Sequence, residues 1–244
     1  MREFGRTKEC RMLFLARALD DHGTQDPCGR CDNCRELAHP KADHEAVTRA
    51  ISFLRQDRQP ILPKKMYPPG FASDGPKKIP ENLLPMKGMA ISVYNDAGWG
   101  KLVRSGKYEN GGFSDELLKP SLAAIHELEL KPEWVTWVPS KSRPELVESF
   151  ARRLAKELGL EALPAVQKAG ENHPQKLMQN SSKQLGNVWN SFEATDHRSG
   201  VCLLVDDVVD SGWTLMAIAM RLRQRGSGPV IPFALASARP REDA

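Results

Sequence analysis

The stretch from Val201 to Leu215, VCLLVDDVVDSGWTL, restricts the fold more than any other part of the chain. The apolar run VCLLV is too short for a helix of ordinary length and reads as a buried strand. Two adjacent carboxylates, Asp206 and Asp207, end it. A short loop containing Asp210, Ser211, Gly212 and Thr214 then leads into a helix read over Thr214 to Arg225, with Gly226 as its stop. The same grammar surrounds it. WVTWV, from Trp134, is a short apolar strand; Pro144 to Leu158 places Leu146, Val147, Phe150, Ala151, Leu154, Ala155 and Leu158 on one helical face, ended by Gly159; and PVIPFALA is a further strand. Strands alternating with helices imply an α/β fold built on a parallel sheet.

Composition excludes several classes. With 244 residues, 40% hydrophobic and 27% charged, the chain is neither disordered throughout nor collagenous, coiled-coil or mucin-like. No apolar run approaches the ~18 residues that a membrane span needs, and MREFGRTKECRMLFLARALD is too charged for a signal peptide. The expectation is a cytoplasmic protein with no membrane partner. The net charge of +4 is uneven: residues 1–60 carry 11 basic and 10 acidic side chains, residues 61–110 carry 8 and 4, and residues 111–244 carry 16 and 17. Trp99 and Tyr108 among Lys101, Arg104 and Lys107 suit a polyanion such as nucleic acid; a solvated lysine-rich surface is the alternative.

Three regions follow. Residues 1–56 hold four of the five cysteines and two helical patterns, the second being HEAVTRAISFLRQ, where Val47, Ala50, Ile51 and Leu54 recur at helical spacing. Residues 57–110 read as a basic linker. Seven prolines between Pro60 and Pro85 forbid a regular helix there and favour extended chain, turns and an edge strand. Later in this region GMAISVY and WGKLVR flank the turn-forming Asn95, Asp96, Ala97 and Gly98, so a β-hairpin is expected. Residues 111–244 form the α/β domain, beginning with a helical stretch over 113–130 in which Pro120 is a kink or a second start.

Cys10, Cys28, Cys31 and Cys34 form C-x17-C-x2-C-x2-C. Tight turns can gather the three close thiolates around one ion while Cys10 closes a tetrahedron, the pattern of a four-cysteine structural zinc site with no open position for chemistry. An iron–sulfur cluster is the alternative for a C-x2-C-x2-C run. Cys202, inside the apolar strand, reads as a small buried hydrophobe. Cys10-Arg11, Phe14-Leu15 and CGRCDNC resemble the zinc-binding subdomain of RecQ-family DNA helicases over about 35 residues. In that family the module packs on the helicase motor and helps hold it together and on DNA. The motor itself is not in this sequence: no G-x-x-x-x-G-K-[ST] loop occurs. The resemblance implies the C-terminal piece of a larger RecQ-like protein, with DNA and an upstream motor as partners and a role in DNA repair.

At the acidic strand end, carboxylates can accept hydrogen bonds from a vicinal diol, while loop amides, hydroxyls and the positive helix terminus cradle a phosphate. This stretch resembles the phosphoribosyl-diphosphate signature of type I phosphoribosyltransferases. That resemblance implies a parallel sheet flanked by helices, with Asp206 and Asp207 on the ribose hydroxyls and Ser211, Gly212, Trp213 and Thr214 around the 5′-phosphate. Pro139, Ser140, Lys141, Ser142 and Arg143 look like the family's pyrophosphate loop, although helix-flanking charge would also account for Lys141 and Arg143. Gln175, Gln179, Asn180, Lys183, Asn187 and Phe192 resemble the flexible hood of the ComF-like subgroup. Asp210 matches a residue that contacts the purine and shuttles a proton, the one catalytic residue implied. Mg2+ would neutralise a leaving pyrophosphate. Trp213 departs from the usual small or basic residue, and its bulk is expected to crowd the site.

Three classes of function remain open at this point. The α/β domain is a phosphoribosyl-binding or assembly module of a RecQ-like helicase, an active phosphoribosyltransferase, or a homo-oligomerisation domain with a relic site.

Overall fold

The protein is described by a computed structural model covering residues 2–238 except 22, 38–41, 70, 72–76, 170–184 and 187. It divides into two compact units, Met1–Val47 and Thr48–Ala244.

In the first unit, α1 (Arg2–Arg6) and α2 (Arg11–Ala18) precede a knuckle that carries Cys28, Cys31 and Cys34. Arg11 joins the two parts. Its Nε donates to Asp32 Oδ1 and Oδ2 at 2.6 and 2.8 Å, and its Nη1 donates to the Phe4 carbonyl. Asn33 Nδ2 donates to the carbonyls of Thr7 and Glu9 at 2.8 and 2.6 Å. The Asp32-Asn33 pair inside CGRCDNC thus ties the knuckle to the N-terminal segment. A unit this small has little apolar core, with only Cys10 and Leu13 of its described apolar residues buried.

The division between units falls inside α3 (His44–Gln56), which forms over the residues expected for it. Ile51 and Leu54 are half-buried; Val47 and Ala50 are exposed.

The second unit is built on a six-stranded sheet. Its strands are β1 (Gln59–Ile61), β2 (Gly88–Ala90), β3 (Trp134–Trp137), β4 (Glu161–Ala162), β7 (Cys202–Val209) and β8 (Val230–Ser237), ordered β1-β2-β8-β7-β3-β4. Only the edge strand β1 is antiparallel to its neighbour. A separate antiparallel pair joins β5 (Val166–Lys168) to β6 (Phe192–Ala194). The helices are α4 (Gly100–Tyr108), α5 (Leu118–His126), α6 (Pro144–Leu158) and α7 (Trp213–Arg225).

Period-two alternation sorts the strand residues between two cores. Cys202 and Leu204 of β7 pack with Trp213, Leu215, Ile218 and Leu222 of α7 on one face. Leu203 and Val205 pack with Leu146, Val147, Phe150 and Leu154 of α6, and with Val103 of α4 and Ala124 of α5, on the other. Cys202 is fully buried, as its setting in the strand implied.

Two expectations are corrected. The hairpin between 88–94 and 99–104 does not form. GMAISVY runs parallel to β8 instead, with Tyr94 N–H donating to Ser237 O and Ser237 N–H to Ser92 O, both at 2.8 Å. WGKLVR becomes the start of α4 because Asp96 gathers the turn: its Oδ1 accepts from the N–H groups of Gly98 and Gly100 at 2.9 and 2.8 Å, and its Oδ2 from that of Val93 at 3.2 Å. A side chain at Gly100 would meet the Val93 carbonyl oxygen at 1.9 Å, so the helix can start here only on glycine. Nor is 57–110 a linker apart from the α/β domain, because it supplies β1, β2 and α4 to that unit. Among its described residues the proline-rich part supplies the edge strand β1 and a single 3-10 turn, Glu81–Leu83, with no α-helix. Among the described residues no helix is long and apolar enough to cross a membrane.

Candidate functional site

The strand order reverses between β3 and β7: β3 leads through α6 to β4 on one side, while β7 leads through α7 to β8 on the other. The loops leaving the two strands therefore diverge and open a crevice at their C-terminal ends, where open α/β sheets place ligands. A cavity of about 380 Å³ lies there. Asp206, Asp207 and Thr214 line it from the β7–α7 junction, and Ser140, Ser142 and Arg143 from the β3–α6 loop. The sequence separates these two groups by about sixty residues, and the parallel register Trp137 to Val205 brings them together.

Each group is held locally. Ser140 Oγ accepts the Arg143 N–H at 3.3 Å and lies 3.3 Å from Ser142 Oγ, which shapes the loop ahead of Pro144 at the helix start. Gly212 takes φ of +77° immediately before α7, a left-handed conformation that a β-carbon would strain. The Asp207 N–H donates to Asp206 Oδ1 at 2.8 Å. Burial pushes the Asp206 carboxyl up to about 8; the Asp207 charge adds to the rise, and the Asp207 N–H and Lys107 oppose it. Two carboxyl groups this close in a half-buried crevice are costly for folding unless one of them keeps its proton.

Some expected residues lie elsewhere. The Trp213 side chain is buried in the apolar core beneath α7, 4% exposed, so it does not crowd the cavity as its bulk suggested. Asp210 is on the exposed part of the loop and does not line the cavity, nor do Ser211 and Lys141. Gln175, Gln179, Asn180, Lys183 and Asn187 lie outside the described residues; Phe192 is buried in β6.

Three polar lining residues were not assigned to this site from sequence: Lys107 and Tyr108 from the last turn of α4, which the charge pattern placed in a polyanion-facing segment, and Lys168 from β5. Lys107 Nζ lies 2.8 Å from Asp207 Oδ2. Burial pulls its ammonium down, but the charges of Asp207 and Asp206 outweigh this and leave its pKa raised. The Arg143 guanidinium sits over the Tyr108 ring, 5.1 Å from its centre. Burial, and then the Lys141 charge, lower the Lys168 pKa. Parts of the basic segment expected to face a polyanion are engaged within the fold, while Lys101 and Tyr108 are exposed. Trp99 Nε1 donates to the Arg55 carbonyl at 3.2 Å with the Arg55 guanidinium 4.1 Å over its ring, and Arg104 pairs with Glu109 at 3.5 Å.

The second site is the cysteine cluster. The sulfurs of Cys10, Cys28, Cys31 and Cys34 all lie within 4.8 Å of one another, and none is in a disulfide. Tetrahedral zinc at a Zn–S distance of about 2.3 Å sets its sulfurs about 3.8 Å apart, so a small contraction would close the site. Backbone N–H groups already point at sulfur, from Cys28 to Cys10 Sγ at 3.2 Å and from Cys34 to Cys31 Sγ at 3.4 Å. The Cys28 and Leu13 N–H groups draw the Cys10 thiol down to about 6, while Cys34 is pushed up to about 12, first by its neighbour Cys31 and then by burial. The four cysteines could hold a metal ion, and with all four ionised around it such an all-thiolate donor set suits zinc. The oxygen donors of Asp206 and Asp207 are of the kind Mg2+ takes.

Comparison with known proteins gives limited matches. No family model matches the chain, and no curated protein does. Solved structures similar to it include adenine phosphoribosyltransferases from Leishmania donovani (14% identity, TM-score 0.35, over 76% of this chain and 66% of that one) and Thermoanaerobacter pseudethanolicus ATCC 33223 (15%, 0.36, over 78% and 99%). The enzyme from Leishmania tarentolae also overlaps, at 12% identity and a TM-score of 0.35 over 76% of this chain and 86% of that one.

Proposed function

We propose that the α/β unit binds a phosphoribosyl ligand, either phosphoribosyl diphosphate or a nucleoside 5′-monophosphate, in the crevice between β3 and β7. The observation that carries this reading is the convergence in one cavity of Asp206 and Asp207, Thr214 at the α7 start, and the Ser140–Arg143 loop. A diol, a 5′-phosphate and a diphosphate each find a partner of the right charge there. Mg2+ bound with a diphosphate would offset its charge. The cysteine cluster is read as a structural zinc site. On its resemblance to the RecQ zinc subdomain, the first unit is the DNA-facing part of a RecQ-like helicase region, and its DNA affinity should fall with salt as counterions are released.

Calorimetry on the zinc-loaded chain with Mg2+ tests the ligand. Phosphoribosyl diphosphate should bind, and Asp206→Asn with Asp207→Asn should weaken it by about 2 to 4 kcal/mol, since hydrogen bonds to charged groups contribute roughly 1.5 to 3 kcal/mol each and do not add. Absence of binding by either ligand class at millimolar concentration would leave an assembly role in its place. A second reading, turnover as a phosphoribosyltransferase, gains from the burial of Trp213 away from the cavity. Pyrophosphate release with varied bases separates it from binding alone.

A further inference from the structure

Lys107 belongs to neither motif that led to the cavity, yet its ammonium pairs with Asp207, the carboxylate read as a ribose-hydroxyl acceptor. Its side chain is 26% exposed and that of Asp207 13%, so the 2.8 Å pair is largely withdrawn from water. It enters from the last turn of α4, whose start is clamped by Asp96 and whose buried face packs on the α6 side of the sheet. The ammonium therefore has a defined place in the ligand-free cavity. Ser140, Ser142 and Arg143 of the β3–α6 loop and Lys168 line the same cavity.

Asp207 and Lys107 each satisfy the other when the cavity holds no ligand. A ligand that carries both hydroxyls and a diphosphate offers each of them a second partner: hydroxyl donors to the carboxylate and phosphate oxygens to the ammonium. A ligand with the sugar phosphate alone offers a partner only to the acid, and then leaves a poorly hydrated cation behind. We propose that Lys107 is a selectivity residue that passes from Asp207 to the diphosphate of the ligand, so that diphosphate-bearing ligands are favoured over monophosphates. This rests on reading the cavity as a phosphoribosyl site.

The test measures inorganic pyrophosphate and ribose 5-phosphate separately, by calorimetry with Mg2+, on the full zinc-loaded chain. Lys107→Met should lower pyrophosphate affinity about 10- to 100-fold, the range of one or two charge-assisted hydrogen bonds, and leave ribose 5-phosphate affinity unchanged or raised. Removing one partner of a half-buried pair can also unfold the domain. The comparison of Asp207→Asn with Asp207→Asn plus Lys107→Met avoids this, because no unpaired carboxylate remains at position 207 and the two proteins differ only at Lys107. The same pyrophosphate loss is expected between them. Pyrophosphate affinity within twofold across both comparisons, or an equal fall for both ligands, overturns the role of Lys107 while the site reading stands. Failure of the unaltered protein to bind either ligand removes the site reading, and the inference with it.

Discussion

Asp206→Asn should make the α/β unit more stable at alkaline pH, with a sign opposite to that of most buried carboxylate substitutions. The folded-state pKa of Asp206 is raised to about 8, against about 3.9 for an unfolded aspartate. The folded state therefore holds a proton that the unfolded state has released, and stability falls as pH rises from about 4 to about 8. At 1.36 kcal/mol per unit the full window amounts to about 6 kcal/mol at most, and relaxation around the Asp206–Asp207 pair lowers it. Asparagine keeps the shape and can still accept the Asp207 N–H at its Oδ1. Urea denaturation of the ligand-free, zinc-loaded protein between pH 5.5 and 8.5 would read the effect. The unaltered chain should lose stability across that range, and the variant should stay level and exceed it by about 2 to 4 kcal/mol at the alkaline end, as a shift in midpoint without change in slope. Parallel curves for the two proteins, or a variant less stable at pH 8.5, would refute the assignment of strain to this carboxyl pair.

Two further outcomes are expected. Elemental analysis should find one zinc per chain, and Cys31→Ser or a strong chelator should unfold the Met1–Val47 unit while the Thr48–Ala244 unit keeps its own transition, because structural zinc can contribute ~10 to 16 kcal/mol to a unit of this kind; iron in place of zinc, or an unaltered first transition by calorimetry, would count against it. Gly100→Ala, whose β-carbon would lie 1.9 Å from the Val93 carbonyl oxygen, should cost about 3 kcal/mol or more by displacing the start of α4, and a thermal midpoint within a degree of the unaltered protein would be incompatible with that close approach.

Local chemistry made several parts of this protein legible in sequence. The helix from Pro144 to Leu158 follows from one apolar face, a proline at its start and Gly159 at its end. The strand through Val205 follows from an uninterrupted apolar run, and the cysteine site from spacing. Each of these depends on residues a few positions apart, where periodicity and turn chemistry act directly. The stretch 88–108 is different. Its flanks suit a hairpin and also a strand entering a helix, and the choice falls to partners far along the chain: β8 takes the backbone of Ser92 and Tyr94, and Asp96 closes the turn into α4. That same choice places Lys107 beside Asp207 rather than on a basic surface. The cavity likewise lies where the strand order reverses between β3 and β7, which brings Ser140 and Arg143 into one cavity with Asp206. Spacing along the chain carries no record of which strands become neighbours; packing of two apolar faces decides it, and with it which charged side chains meet.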